Sequence, residues 1–349
     1  FEATADYDLR VSAISPASQQ LLEDLGAWDI IVQQRICPYS QMRVWEADQN
    51  TELHFSAVDA GITQLGHIIE NSLIIHALWQ CLDKVEVFCP ASLRGLEIGA
   101  ETARLTLDDG RQLCAALVIA ADGGQSQTRQ LADIGVYGRG YQQRGIVAVV
   151  KTRHSHEETA WQRFLPNGPV AFLPLANGCS SIVWSADDAW ADELLALDEA
   201  GFAERLAQAV QHRLGEVEIL SRRAAFPLRI QQAEQYCAPR LALVGDAAHV
   251  VHPLAGQGVN LGFGDVACLC KLVTETRDKG RDLGEHRRLR RYERARKAED
   301  MLMAQLTDGL SRLYGSEHGL LKLGRREGIR AVNQVLPLKT ALMRHAMGK

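Results

Sequence analysis

No run of about eighteen apolar residues occurs in this chain, so no segment reads as a membrane-crossing helix. No charged-then-apolar leader opens it either, and a cytoplasmic address is the expectation. The first residue is Phe1 rather than methionine, which places the expected N-terminus upstream. The eight cysteines include no C-x-x-C pair, which argues against a zinc ribbon or a dithiol redox centre; they are expected to be reduced and packed as small hydrophobes. Cys268 and Cys270 stand two apart on a predicted helix, so they face different directions and make a poor metal pair; no metal is expected. Also missing is any G-x-G-x-x-G, the fingerprint of a dinucleotide-binding turn. Internal repeats and low-complexity segments are absent, which excludes solenoids and linkers.

What remains is an ordinary globular composition: 349 residues, 46% hydrophobic and 23% charged, enough for two domains or one with an insertion. Net charge is −5, but residues 281–349 hold sixteen Lys/Arg against eight Asp/Glu, leaving −13 for the remainder. A basic end on an acidic body suits an anionic membrane surface or an acidic protein, through "LPLKTALMRHAMGK" and the run from Arg287 to Lys297. A solvated helix face is the plainer account of the same charges. No nucleic-acid partner is expected.

Patterning changes along the chain. "AISPASQQLLEDLGAWDII" predicts a helix with Ser15 as N-cap, Pro16 at its first position and Gly26 as its stop. "MRVWEADQNTELHF" predicts a hairpin turning at Asp48-Gln49-Asn50, and "ENSLIIHALWQCL" a helix capped by Asn71 or Ser72. "VEVFCP" reads as a strand, Asp109-Gly110 as a hairpin turn, and "LVIAADG" as a buried strand ending in Asp122-Gly123. From Gly145 the chain reads as an antiparallel meander broken at Asn167-Gly168 and Asn177-Gly178, with "DEAGFAERLAQAVQHRLG" as an inserted helix. "LALVGD" restores the α/β style, and the rest is helical by spacing. The chemistry is expected where the α/β pieces meet the middle sheet.

The stretch "LALVGDAAHVVHPLAGQGVNLGFGD" carries the strongest signal. A strand ending in Gly245-Asp246 sets a carboxylate at the end of a parallel sheet, where ligands of such folds bind. Ala255, Gly256 and Gly258 then strip side chains away just before a helix, so that backbone N–H groups and the positive helix end can meet a flat ligand or an anion. Each feature alone is weak, since a Gly-Asp after a strand is more often a plain turn.

Together, "LVIAADGGQSQTR", the antiparallel sheet and the glycine loop resemble the FAD-dependent aromatic hydroxylases of the para-hydroxybenzoate hydroxylase fold. "LRVSAISPAS", "GHIIENSLIIHALW" and "RRYERARK" resemble the ubiquinone-biosynthesis branch, the hydroxylases of octaprenylphenol and octaprenyl-benzoquinol precursors. The resemblance covers nearly the whole chain. It implies a mixed α/β (α+β) fold. Residues 1–36, 65–136 and 236–330 would form a discontinuous Rossmann-like FAD/NAD(P) domain, 37–64 and 137–235 a substrate domain built on the antiparallel sheet, and 331–349 a basic amphipathic C-terminal segment. The family's opening βαβ unit with G-x-G-x-x-G is absent here, and is expected upstream of Phe1.

Residue by residue, the resemblance implies that Arg10 approaches the FAD phosphates or ribityl chain. Asp122 and Gly123 would lie near the pyrophosphate and serve NAD(P)H use, and Asp246 would bind the ribityl hydroxyls. Pro253, Leu254, Ala255, Gly256, Gln257, Gly258, Val259 and Asn260 would lie along the isoalloxazine. NAD(P)H reduces FAD, O2 forms the flavin hydroperoxide, and its distal oxygen passes to a polyprenylated phenol or quinol. Phe172, Leu173, Leu175 and Val183 are candidates for the water-excluding wall. His67, His249 and His252 are not assigned as a base, because such histidines are more often structural. Two rivals stand beside this reading: another flavin oxidoreductase of the same fold, of which a halogenase is disfavoured by the missing W-x-W-x-I-P, and a non-catalytic subunit that binds lipid or other ubiquinone-biosynthesis proteins.

Overall fold

The computed structural model describes residues 7–46, 52–252 and 258–315. The strands, in chain order, are β1 (Val11–Ile14), β2 (Cys37–Tyr39), β3 (Gln41–Glu46), β4 (Glu52–Ser56), β5 (Gly66–Glu70), β6 (Leu93–Ile98), β7 (Ala103–Leu107), β8 (Gln112–Ala115) and β9 (Val118–Ala120). They continue as β10 (Val136–Thr152), β11 (Thr159–Phe164), β12 (Val170–Pro174), β13 (Cys179–Asp187), β14 (Val217–Ile219), β15 (Ala224–Ala233), β16 (Cys237–Ala238), β17 (Leu241–Leu243) and β18 (His249–Val250). The helices are α1 (Pro16–Asp24), α2 (Trp28–Ile31), α3 (Asn71–Gln80), α4 (Gln127–Leu131), α5 (Asp188–Ala196), α6 (Glu199–Ala209), α7 (Gly258–Asp278) and α8 (His286–Gly315).

A large sheet runs β18-β15-β10-β13-β12-β11-β3-β4, with β14 on the flank of β10. It is antiparallel except where β3 joins β11. Strand pleating sends alternate residues to opposite faces. On one face Ile146, Ala148, Phe172, Ile182 and Trp184 pack under α5 and α6 against Phe202 and Leu206. On the other, Val149, Leu173, Leu175 and Cys179 meet Tyr39, Leu65 and Ile68. Beside it stand three small sheets: β1-β5-β2, the meander β6-β7-β8, and β16-β17-β9, in which β9 and β17 are parallel. Leu241, Leu243, Leu269, Leu289 and Tyr292 bury this last sheet beneath α7 and α8.

The turn chemistry explains the local elements. Ser15 caps α1, accepting from the Ser18 amide at 3.3 Å with Pro16 at the first turn, and Gly26 leaves the helix at φ +75°. Gly110 turns β7 into β8 at φ +84°. Strands β3 and β4 pair as the predicted hairpin; its turn lies outside the described residues.

Four expectations are corrected. The first turn of α3 is not capped by Asn71 or Ser72: the Ser72 amide donates to Asp8 Oδ2 at 3.1 Å, a carboxylate far away in sequence. Residues 85–90 form no strand, and β6 begins at Leu93. β9 is not buried on both faces, since Ile119 is 52% exposed between Val118 and Ala120. The middle block also carries two helices, α5 as well as α6, where one was predicted.

Candidate cofactor and substrate site

Parallel pairing of β9 with β17 sets Leu243 opposite Ala120, and the Val244 amide donates to Ala120 O at 3.0 Å. Asp122 and Asp246 therefore leave the carboxyl ends of adjacent strands, the edge at which open α/β sheets take their ligands. Asp246 is exposed on a single tight turn, Gly245–Ala247, with Gly245 at φ +58°. Among the described residues no protein group pairs with its carboxylate, so its oxygens are available to hydroxyl donors.

Asp122 behaves differently. Its Oδ2 accepts from the Thr128 amide at 2.9 Å and the Thr128 hydroxyl at 2.8 Å, closing the loop onto α4. Partial burial pushes this carboxyl up, and the hydrogen bonds from Ser126 and Thr128 outweigh that, holding it below the usual carboxylate range. Gly123 takes φ +81° and has open space around it. The two loops are joined by a residue to which sequence reasoning gave no role. Arg129, 4% exposed, donates to Ala247 O at 2.8 Å and to Gly124 O at 3.1 Å. Its only signal was its place at the end of "DGGQSQTR".

Residues 253–257, and with them Pro253, Leu254, Ala255, Gly256 and Gln257, lie outside the described residues. Gly258, Val259 and Asn260 open α7. Val259 packs towards the cluster of Ile14, Leu22 and Leu73. Asn260 accepts from the Ser15 amide at 3.0 Å and the Ser18 hydroxyl at 2.7 Å, and donates to Ala13 O at 2.7 Å. Its side chain thus ties the start of α7 to β1 and α1.

Arg10, exposed just ahead of β1, is held by its main chain: its N–H donates to Asp8 at 3.0 Å and its carbonyl accepts from Asn71 at 2.9 Å. It lines a cleft of about 770 Å³ between Tyr7–Arg10 and one face of the large sheet, with Val147, Val149, Ala224 and Phe226 as an apolar floor and Arg222 on its border. That volume suits a small aromatic ligand. Gly145 makes room for this floor: a Cβ there would stand 2.9 Å from the Phe226 ring. Phe172, Leu173, Leu175 and Val183 do not line the cleft. Pleating turns Phe172 to the helix-covered face, and Leu173 and Leu175 are consumed by core packing under β2 and β5.

The three histidines have separate fates. His249 is buried and its Nε2 donates to Asp265 Oδ2 at 2.6 Å. Burial pulls the imidazole down, but Asp265, with Asp300 behind it, holds it above the ordinary histidine range. His67 sits edge-on to Trp28 and 3.2 Å from Gln64, and burial lowers it. His252 is 1% exposed, edge-on to Tyr141 with centroids 4.9 Å apart, and burial pulls it down to about 4. None of the three lines the cleft.

The comparisons with known proteins decide the family. A model described as "FAD binding domain" matches residues 7–307. The chain belongs to this family. Curated relatives include the 3-demethoxyubiquinol 3-hydroxylase of Escherichia coli, 37% identical across 100% of this chain and 89% of that protein. Another is the ubiquinone hydroxylase UbiL of Rhodospirillum rubrum, 38% identical across 99% of this chain and 80% of that one. Among solved structures, Klebsiella pneumoniae HpxO complexed with FAD and uric acid superposes with a TM-score of 0.74 at 17% identity, covering 99% of this chain and 90% of its own. Pseudomonas aeruginosa PqsL in complex with 2-aminobenzoylacetate gives 0.76 at 21%, covering 93% and 89%. These two likenesses concern the fold. FAD is the ligand class that the family carries, and the exposed Asp246 carboxylate, the open glycine turn and the helix start at Gly258 fit such a group.

Proposed function

We propose that this chain is an FAD-dependent monooxygenase that hydroxylates the aromatic ring of a polyprenylated phenol or benzoquinol in ubiquinone biosynthesis, with NAD(P)H as electron donor. The carrying observation is the pairing of β9 with β17, which brings Asp122 and Asp246 to one sheet edge in a chain whose full-length relatives are ubiquinone hydroxylases. In this reading Asp246 holds ribityl hydroxyls, and Arg10 and the loop at Asp122-Gly123 face the phosphates. Gly258, Val259 and Asn260, at the start of α7, lie along the ring system, the helix dipole favouring negative charge there. FAD, when bound, supplies the redox chemistry that activates O2.

The chain's own residues orient and shield. The apolar floor of Val147, Val149 and Phe226 takes the aromatic ring and keeps water from it, while Arg222 offers a cation to an oxygen that becomes anionic. No side chain of the cleft is assigned as a base. Residues 7–36, 65–136 and 236–315 are assigned to the cofactor part and 37–64 with 137–235 to the substrate part.

The protein is placed in the cytoplasm, working at a membrane face or beside other enzymes of the pathway. On α8 the exposed Arg287, Arg290, Arg291 and Arg294 are followed on the solvent side by Met301, Leu302 and Leu306, an order that suits anionic headgroups and then acyl chains. No helix of the described residues is long and apolar enough to cross a membrane.

The test is spectroscopic. Full-length protein loaded with FAD is mixed anaerobically with NADPH or NADH in the presence of a prenylated phenol, then exposed to O2. Bleaching of the flavin bands followed by a product one oxygen heavier is the expected result. A protein that takes up no FAD overturns the proposal.

A further inference from the structure

Behind the turn that carries Asp246 lies a buried cluster of four ionisable groups outside the cleft. Asp265, 0% exposed on α7, accepts from the Gly245 amide at 2.9 Å and from His249 Nε2 at 2.6 Å through Oδ2. Its Oδ1 accepts from Arg296 Nε at 2.8 Å. The Arg296 guanidinium, on α8, also donates to Asp300 Oδ1 at 2.9 Å and to Leu261 O at 3.2 Å. His249 Nε2 stands 3.4 Å from Asp300 Oδ2. One carboxylate thus gathers the turn, β18, α7 and α8.

Close packing shows that the space was made for this arrangement. A Cβ on Gly262 would lie 3.2 Å from Gly245 Cα, so the turn rests on α7 with no side chain between them. A Cβ on Gly264 would lie 2.9 Å from the Arg296 guanidinium. A metal ion is a poor occupant of the cluster, although His249, Asp265 and Asp300 bring ligand atoms within 4.8 Å of one another. Arg296 already supplies the cation between the two carboxylates. An unpaired carboxylate so deeply buried is costly, and here a guanidinium and an imidazole share the burden.

We propose that Asp265 is the positioning residue of the cofactor turn: charge-balanced by Arg296 and His249, its carboxylate fixes the Gly245 amide and with it the direction in which Asp246 presents its oxygens to FAD. The inference rests on the assignment of Asp246 to FAD above. Asp265 touches neither cofactor nor substrate; it acts through the Val244–Gly245 peptide, one residue ahead of Asp246. A charged acceptor is suited to this, since a charge-assisted bond to a backbone N–H is roughly twice as strong as a neutral one.

A double-mutant cycle on FAD dissociation tests it, using full-length protein stripped of flavin and retitrated. Asp265→Asn is expected to weaken FAD binding at least tenfold. In an Asp246→Ala background the same change is expected to weaken it less than about threefold, because the oxygens it positions are already gone. A general loss of structure would act equally in both backgrounds. His249→Gln, which removes a balancing partner and keeps the carboxylate, carries the same cycle if Asp265→Asn does not fold, with a smaller effect and the same non-additivity. Equal losses in the two backgrounds, or unchanged FAD affinity in both Asp265→Asn and His249→Gln, overturn the proposal. Unchanged affinity in Asp246→Ala alone instead overturns the assignment of Asp246 to FAD.

Discussion

Gly262 and Gly245 face one another across the α7 interface, and a methyl group on Gly262 would stand 3.2 Å from the Gly245 Cα. The neighbour it would press on is backbone, in a turn whose next residue is Asp246, so it has little freedom to yield. Gly262→Ala is expected to destabilise the protein by about 1–3 kcal/mol, the usual cost of overpacking. FAD affinity is expected to fall with it, because the turn moves as a unit. Flavin titration beside a urea unfolding curve checks both, and wild-type values in each would show that the turn is soft.

The buried cluster makes stability depend on pH in a definite direction. Burial pushes the Asp300 carboxyl from its ordinary 3.8 up to about 6, with His249 and Arg296 opposing and Asp265 adding to the rise. The groups facing it are His249, Asp265, Arg296 and Tyr236. A carboxyl raised in the folded state contributes stability that is complete below 3.8 and is lost as pH climbs through about 6. The gap is worth on the order of 3 kcal/mol. His249, also raised, has the same sign: its contribution is present below the ordinary histidine value and is lost as pH passes its higher folded value. The stability advantage of Asp300→Asn, a neutral mimic, over the unsubstituted protein should therefore grow as pH rises from 3.8 to about 6 and hold above that. Melting temperatures at several pH values decide it; a difference independent of pH would mean that Asp300 stays ionised throughout.

Ala224, half-buried on the wall of the cleft, is paired with Val147 and so shares the cleft face, and a large side chain there fills the space. Ala224→Trp is expected to raise KM for a prenylated phenol at least tenfold, about 1.4 kcal/mol, while the bound-flavin spectrum stays as it was. Unaltered KM would place the aromatic ring elsewhere.

The arginine face of α8 predicts a salt-dependent membrane contact. Full-length protein should float with vesicles rich in anionic lipid at low salt and be released as salt screens the attraction, within a Debye length of about 8 Å at physiological strength. Arg291→Glu with Arg294→Glu should leave the protein in the soluble fraction. Flotation that ignores both salt and these substitutions would assign the contact to another surface.

Much of this protein was legible in its sequence, because local rules are written into short stretches. Ser15-Pro16 and Gly26 bracket a helix, Gly110 makes a hairpin turn, and a buried strand runs into the turn at Gly245-Asp246. The resemblance of these stretches to a known family carried the function further than periodicity could. Tertiary structure alone decided what pairs across long separations. Asp8 caps α3, Asn260 ties α7 to β1 and α1, Arg129 links the two acidic loops, and Asp265 is drawn under Gly245 by the packing of α7 against the turn. It also decided which apolar residues face the cleft. Val149 and Phe172 look alike as sheet residues, yet pleat and register send one to the cleft and the other under α6. A side chain's periodicity says that it is buried on a face; only the packing of the other elements says what that face meets.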